Sequence, residues 1–214
     1  MNSDKVYSIL IPMLRPMVKG RMGAARRRHF EVVGVPPRRV LFIGDSLTEG
    51  GLWSDLLPEL PTTNRGIGGE GTYDLLERVE SAINDPLAVS LLIGTNDLHG
   101  PRELRGVEQV AERTEEIIRR IRALAPDALL LVNSLLPRTE LFRDRLREIN
   151  ALNEEAAARH GATYVDLWPT FADDAGVIRN DYTRDGLHIT PAGYLAWAAV
   201  LRPYLAPFAV GEPA

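Results

Sequence analysis

The sequence contains no cysteine. Disulfide frameworks, thiol nucleophiles and zinc–thiolate centres are therefore excluded, and the absence suits a cytoplasmic protein, the location expected here. Long apolar runs are missing too. No stretch approaches the roughly 18 uninterrupted apolar residues that read as a membrane-crossing helix, so no stable membrane anchor is expected. The most apolar N-terminal segment, residues 6–18, is broken by Pro12, Arg15 and Pro16, and no small-residue cleavage site follows it. That pattern argues against a secretory leader. There is no excess of positive charge: Lys and Arg number 25 against 29 Asp and Glu, a formal net charge of −4. No nucleic-acid partner is expected on that balance. The basic residues that do cluster, Lys19, Arg21, Arg26, Arg27, Arg28, Arg38 and Arg39, read as the solvated face of a helix leading into the first strand. Histidine is scarce as well, with 4 in the chain, which makes a general base easy to shortlist.

What remains is ordinary globular composition, 45% hydrophobic and 25% charged over 214 residues, enough for one domain with a sizeable core. Residues 1–35 read as an N-terminal arm that packs on the domain or on a second copy of the chain, so a homo-oligomer is one expectation. Residues 36–210 read as a single α/β domain. Near-continuous apolar runs at 39–43, 87–93, 128–132 and 162–167, with a weaker one at 62–65, predict strands covered on both faces. Helical spacing predicts helices over 72–83, 107–124, from about 141 to Gly161, and 191–205. The fold class expected is a three-layer α/β/α, doubly wound, flavodoxin-like five-stranded parallel sheet of order 2-1-3-4-5. Such a sheet binds ligands beyond the carboxyl ends of its strands.

The polar motifs fall at those ends. Gly44-Asp45-Ser46-Leu47 follows the first strand. Its serine either presents a hydroxyl at the mouth of the sheet or belongs to the cap of the next helix. Gly66-Ile67-Gly68-Gly69-Glu70 follows the second strand; it lacks the Gly-Lys-Ser/Thr ending of a phosphate loop and by itself is a glycine-rich turn. Gly94-Thr95-Asn96-Asp97 follows the third, where a carboxamide either points into the crevice or closes its own turn. Asp185-Gly186-Leu187-His188 precedes a helix opened by Thr190 and Pro191, and its spacing lets a carboxylate orient the ring of the same turn. His29 lies in the arm and His160 at a helix end. His99, near Asn96, is expected to line the crevice, and Asp45 and Leu47 to line the substrate beside it. His188, with Asp185 three residues away, is the better base.

These blocks, in this order, resemble the SGNH/GDSL hydrolase family, over about residues 39–205. The first matches the GDSL signature literally. Gly66 to Glu70, and Leu135-Leu136-Pro137-Arg138, are similar to the corresponding segments in the catalytic subunits of intracellular platelet-activating-factor acetylhydrolases. The resemblance implies a serine esterase or acylhydrolase acting on a small-molecule acyl ester. It assigns Ser46 as nucleophile, His188 as base and Asp185 as the acid that orients it. It also implies an oxyanion hole of Ser46, Gly69 and Asn96, with Gly68 the alternative to Gly69. No metal or organic cofactor is implied. The same site serves thioesterases, lysophospholipases and carbohydrate deacetylases. Two rival readings carry less: a two-metal phosphoesterase built on Asp45, Asp97, His99, Asp185 and His188, and a catalytically silent binding module. The few residues between motifs and helices leave no room for a greasy lid, so short acyl chains are expected.

Overall fold

Val40–Gly44 (β1) is apolar throughout and wholly buried, because it runs through the middle of the molecule. The computed structural model describes Gly20 and residues 23–210. The other strands are Thr62–Gly66 (β2), Ala88–Leu92 (β3), Leu129–Asn133 (β4) and Thr163–Val165 (β5), and all pair in parallel in the order β2-β1-β3-β4-β5. Val40 stands opposite Thr62 on one side and Ala88 on the other. The chain therefore winds one way from β1 and the other way from β3, and a crevice opens between their carboxyl ends.

Alternate residues of each strand enter separate cores. Leu41, Ile43, Val89, Leu91, Leu130 and Val132 meet one helical layer, while Val40, Phe42, Ala88, Leu92 and Leu131 meet the other. Two buried faces explain why the strands read as unbroken apolar runs. The helices are Ala24–Val33 (α1), Ser46–Glu49 (α2), Trp53–Leu56 (α3), Thr72–Leu76 (α4), Val79–Ala82 (α5), Val107–Leu124 (α6), Glu140–Arg159 (α7), Trp168–Phe171 (α8) and Pro191–Leu205 (α9). Leu75, Val79, Ile117, Ile118, Ile121, Ala156 and Ala157, from α4 to α7, cover the first core. Trp53, Phe171, Trp197 and Leu201, from α3, α8 and α9, cover the second. Trp53 stacks on Phe42 at 4.0 Å and meets Trp197 edge-on at 5.0 Å. Thr190 caps α9, accepting a bond from the Gly193 N–H, and Pro191 occupies its first position.

Two expectations need correction. The helix expected over 72–83 is two short helices, broken at Glu77 and Arg78. Arg78 turns inward: its Nε donates to Glu70 Oε2 at 2.7 Å, and its Nη2 to the carbonyls of Arg65 and Gly44 at 3.0 and 3.3 Å. Helical spacing would have kept that charge on the surface. Nor is the basic cluster simply solvated. Arg26 and Arg27, on α1, bond across to Gly66, Glu70 and Glu77. Lys19, Arg21 and residues 6–18 lie outside the described residues. Among the described residues, no helix is long and apolar enough to cross a membrane.

Candidate active site

The serine of the first motif opens α2 directly after β1. Asp45 caps that helix, its Oδ1 accepting the Leu47 N–H at 2.9 Å, so capping and presentation of Ser46 are both features of one turn. The far end of the turn is tied down by side chains. Asn64 Nδ2 donates to the carbonyls of Thr48, Glu49 and Gly51 at 2.9 to 3.1 Å. Trp53 Nε1 donates to the Thr48 carbonyl and the Tyr194 hydroxyl to the Leu47 carbonyl, each at 3.0 Å. These bonds hold the backbone that follows Ser46, from Leu47 to Gly51.

Ser46 Oγ lies 3.2 Å from His188 Nε2. The opposite ring nitrogen, Nδ1, is 2.7 Å from Asp185 Oδ2. Asp185 is itself anchored, its Oδ1 accepting the N–H groups of Leu187 and His188 at 2.9 and 2.8 Å. Gly186 between them has φ of +77°, a left-handed conformation that side chains other than glycine adopt only at a cost. Thr183 closes the loop from below, donating to the His188 carbonyl and accepting from the Gly186 N–H. Spacing alone did not single out Thr183; the nearby Asp-Gly turn was the only hint.

Electrostatics follow from these contacts. Burial works against ionisation of Asp185, but the hydrogen bonds from the His188 ring and from the Leu187 and His188 N–H groups outweigh it and hold the carboxyl at about 2. The Asp185 carboxylate in turn raises the His188 imidazole above its ordinary range, by its hydrogen bond and then its charge. Burial and the charge of Arg138 oppose that rise, and Asp45 adds to it. Both members of the pair are half-exposed, 52% for His188 and 50% for Asp185, so solvent reaches the pair.

Two further motifs converge on the serine. Gly69 has φ of +78°, and the turn it makes carries Gly68 close enough that an added Cβ there would lie 3.6 Å from Ser46 Cβ. The Gly68 N–H is already donated to Glu49 Oε2 at 2.5 Å. Asn96, buried, donates one amide hydrogen to the Glu70 carbonyl at 2.9 Å, which fixes the plane of its carboxamide. Neighbouring Asp97 points elsewhere: its oxygens accept from the Thr72 N–H and hydroxyl and from Arg113.

Two of the three residues expected to line the substrate sit differently. Asp45 and Leu47 are buried, at 0% and 1% exposure, so their side chains lie beneath the serine rather than on the cleft wall. The reason is that the α2 turn directs them inward to cap and to core. Burial pushes the Asp45 carboxyl up to about 7, against the opposing Leu47 hydrogen bond. His99 packs edge-on against Phe142 of α7 at 5.0 Å. His160, set aside as a base, lies 3.0 Å from Glu115. Among the described residues, no cluster of three or more His, Asp or Glu side chains is placed to hold a metal ion.

Comparison with known proteins adds to this geometry. Residues 42–196 match the model of the GDSL-like lipase/acylhydrolase family. The human platelet-activating factor acetylhydrolase IB subunit alpha1 is 34% identical over 166 residues, covering 72% of this chain and 70% of that protein. A solved Streptococcus pneumonia structure named for platelet activating factor is 27% identical, with a TM-score of 0.77, over 96% of this chain and 100% of that one. An acetyl-xylooligosaccharide esterase from Geobacillus, 18% identical, superposes with a TM-score of 0.65 over 85% of this chain and 98% of its own, a likeness of fold.

Proposed function

The chain belongs to the GDSL-like lipase/acylhydrolase family and is a hydrolase acting on esters; from that premise we propose a serine esterase that removes short acyl groups through Ser46, His188 and Asp185. The observation that carries the assignment is the relay of two contacts, 3.2 Å from Ser46 Oγ to His188 Nε2 and 2.7 Å from His188 Nδ1 to Asp185. Ser46 Oγ attacks the ester carbonyl carbon and its proton passes to His188 Nε2. Asp185 keeps the ring oriented and stabilises the imidazolium. The new oxyanion receives the Ser46 N–H, the Gly69 N–H and the second amide hydrogen of Asn96. Gly69 is taken from the resemblance of Gly66 to Glu70 to the family's glycine block, and the Gly68 N–H bonds Glu49. The imidazolium then protonates the departing alkoxide as the carbon–oxygen bond breaks. Water, deprotonated by His188, cleaves the acyl-enzyme and releases the carboxylic acid.

The acyl group is read as short because the His188–Asp185 pair is half-exposed, and an open cleft buries few methylenes, each worth about 0.8 kcal/mol. The name of the human relative, an acetylhydrolase, points the same way. A fluorophosphonate is expected to add its mass to the Ser46 peptide, and Ser46→Ala to lower kcat by about 10⁶. Labelling of another residue, or an active Ser46→Ala protein, would remove the serine mechanism.

A further inference from the structure

The turn that carries Gly68 and Gly69 past the serine is held at both ends by α1. Arg26 Nε donates to the Gly66 carbonyl at 2.6 Å, and Arg27 Nη2 donates to Glu70 Oε1 at 2.8 Å. Glu70 then passes its backbone carbonyl to Asn96. Helix α1 contributes no buried side chain, so polar contacts and the Phe30 ring, 4.4 Å from the Arg65 guanidinium of β2, attach it. It also lies before residue 42, where the family match begins.

Glu49 makes this attachment matter to the chemistry. Its Oε2 accepts the Gly68 N–H at 2.5 Å, and that oxygen is 3.0 Å from the point where a Gly68 Cβ would stand, itself 3.6 Å from Ser46 Cβ. A carboxylate is thus bonded to the turn beside the reacting serine. Negative charge so close opposes formation of an oxyanion, unless a cation offsets it. Among the described residues the cation on Glu49 is Arg26, whose Nε is 3.3 Å from Oε1.

We propose that Arg26 is a positioning residue for acyl transfer: it neutralises Glu49 and pins the turn, so that backbone N–H groups and not a carboxylate set the field at the oxyanion. The inference rests on the acyl-transfer reading of Ser46. Arg26 touches no substrate and acts through Glu49 and Gly66. Both side chains of the pair are about one-third exposed, at 30% and 35%, so dissolved salt weakens the pair.

The experiment is a double-mutant cycle on the full chain with p-nitrophenyl acetate, reading kcat, KM and Tm. Arg26→Ala should lower kcat about tenfold with KM within about twofold, since the offset acts on charge that develops in the transition state. On a Glu49→Gln background, which keeps an acceptor for the Gly68 N–H, the same substitution should cost less than about twofold. High ionic strength should lower kcat of the native chain and spare that of Glu49→Gln. Arg26→Gln gives the same comparison if the alanine variant folds poorly. Equal penalties in both backgrounds, or an unaltered kcat in Arg26→Ala, would overturn the proposal and leave a merely structural helix. Ser46→Ala, assayed alongside, separates the failures: if it is active, the acyl-transfer reading itself is lost.

Discussion

At the scale of single residues, the proposed mechanism makes His188 the group that sets how activity responds to pH. As a base it must be neutral, and the Asp185 hydrogen bond and charge raise its pKa above the ordinary 6.5. The sign is then fixed: activity is present above the raised pKa and lost as pH falls through it. The acid limb of kcat/KM is expected above 6.5, because the Asp185 hydrogen bond and charge favour the imidazolium. A limb at or below 6.5 would deny that effect of Asp185. Asp45 has its own effect on stability. Its folded carboxyl keeps a proton up to about 7, whereas the unfolded one releases it near 3.8. Stability from this group is therefore greatest at the acid end and falls as pH rises between those values. Thermal melts of Asp45→Asn should show a larger gain in Tm at about pH 8 than at about pH 5.

At the scale of elements, the break between α4 and α5 shows a side chain overriding a helical pattern. Arg78 leaves the helix to satisfy Glu70 and the carbonyl ends of β1 and β2. Arg78 and Glu70 are almost fully buried, at 5% and 2% side-chain exposure. Removing one member of such a pair strands the other, a loss of about 3–5 kcal/mol in general. Arg27 also bonds Glu70 and lessens the stranding. Arg78→Met is accordingly expected to destabilise by about 3 kcal/mol, measured by urea unfolding with an unchanged m-value. Because Glu70 carries the Asn96 acceptor, kcat should fall as well. A variant as stable and active as the native chain would show that the inward turn of Arg78 is incidental.

At the scale of the whole molecule, the open crevice predicts substrate size. Acetyl to butyryl esters should turn over faster than long-chain esters of the same alcohol, with no jump in rate as substrate forms micelles. A higher kcat/KM for palmitoyl than for acetyl would reveal a hydrophobic channel instead. Much of this architecture was legible beforehand, because buried parallel strands must be apolar on both faces; β1 and β3 therefore stood out within a residue of their observed bounds. The GDSL block and the Asp185–His188 spacing were legible because each is a local feature of one turn. Tertiary structure decided what depends on distant partners. Only folding brings Ser46 to His188, separated by 142 positions, within 3.2 Å. Only folding breaks the helix at Arg78 and sets Arg26 on Glu49, because both follow from charges and carbonyls that meet across the chain. Periodicity reports which face of an element is apolar; it carries no information on which far partner a buried charge will find.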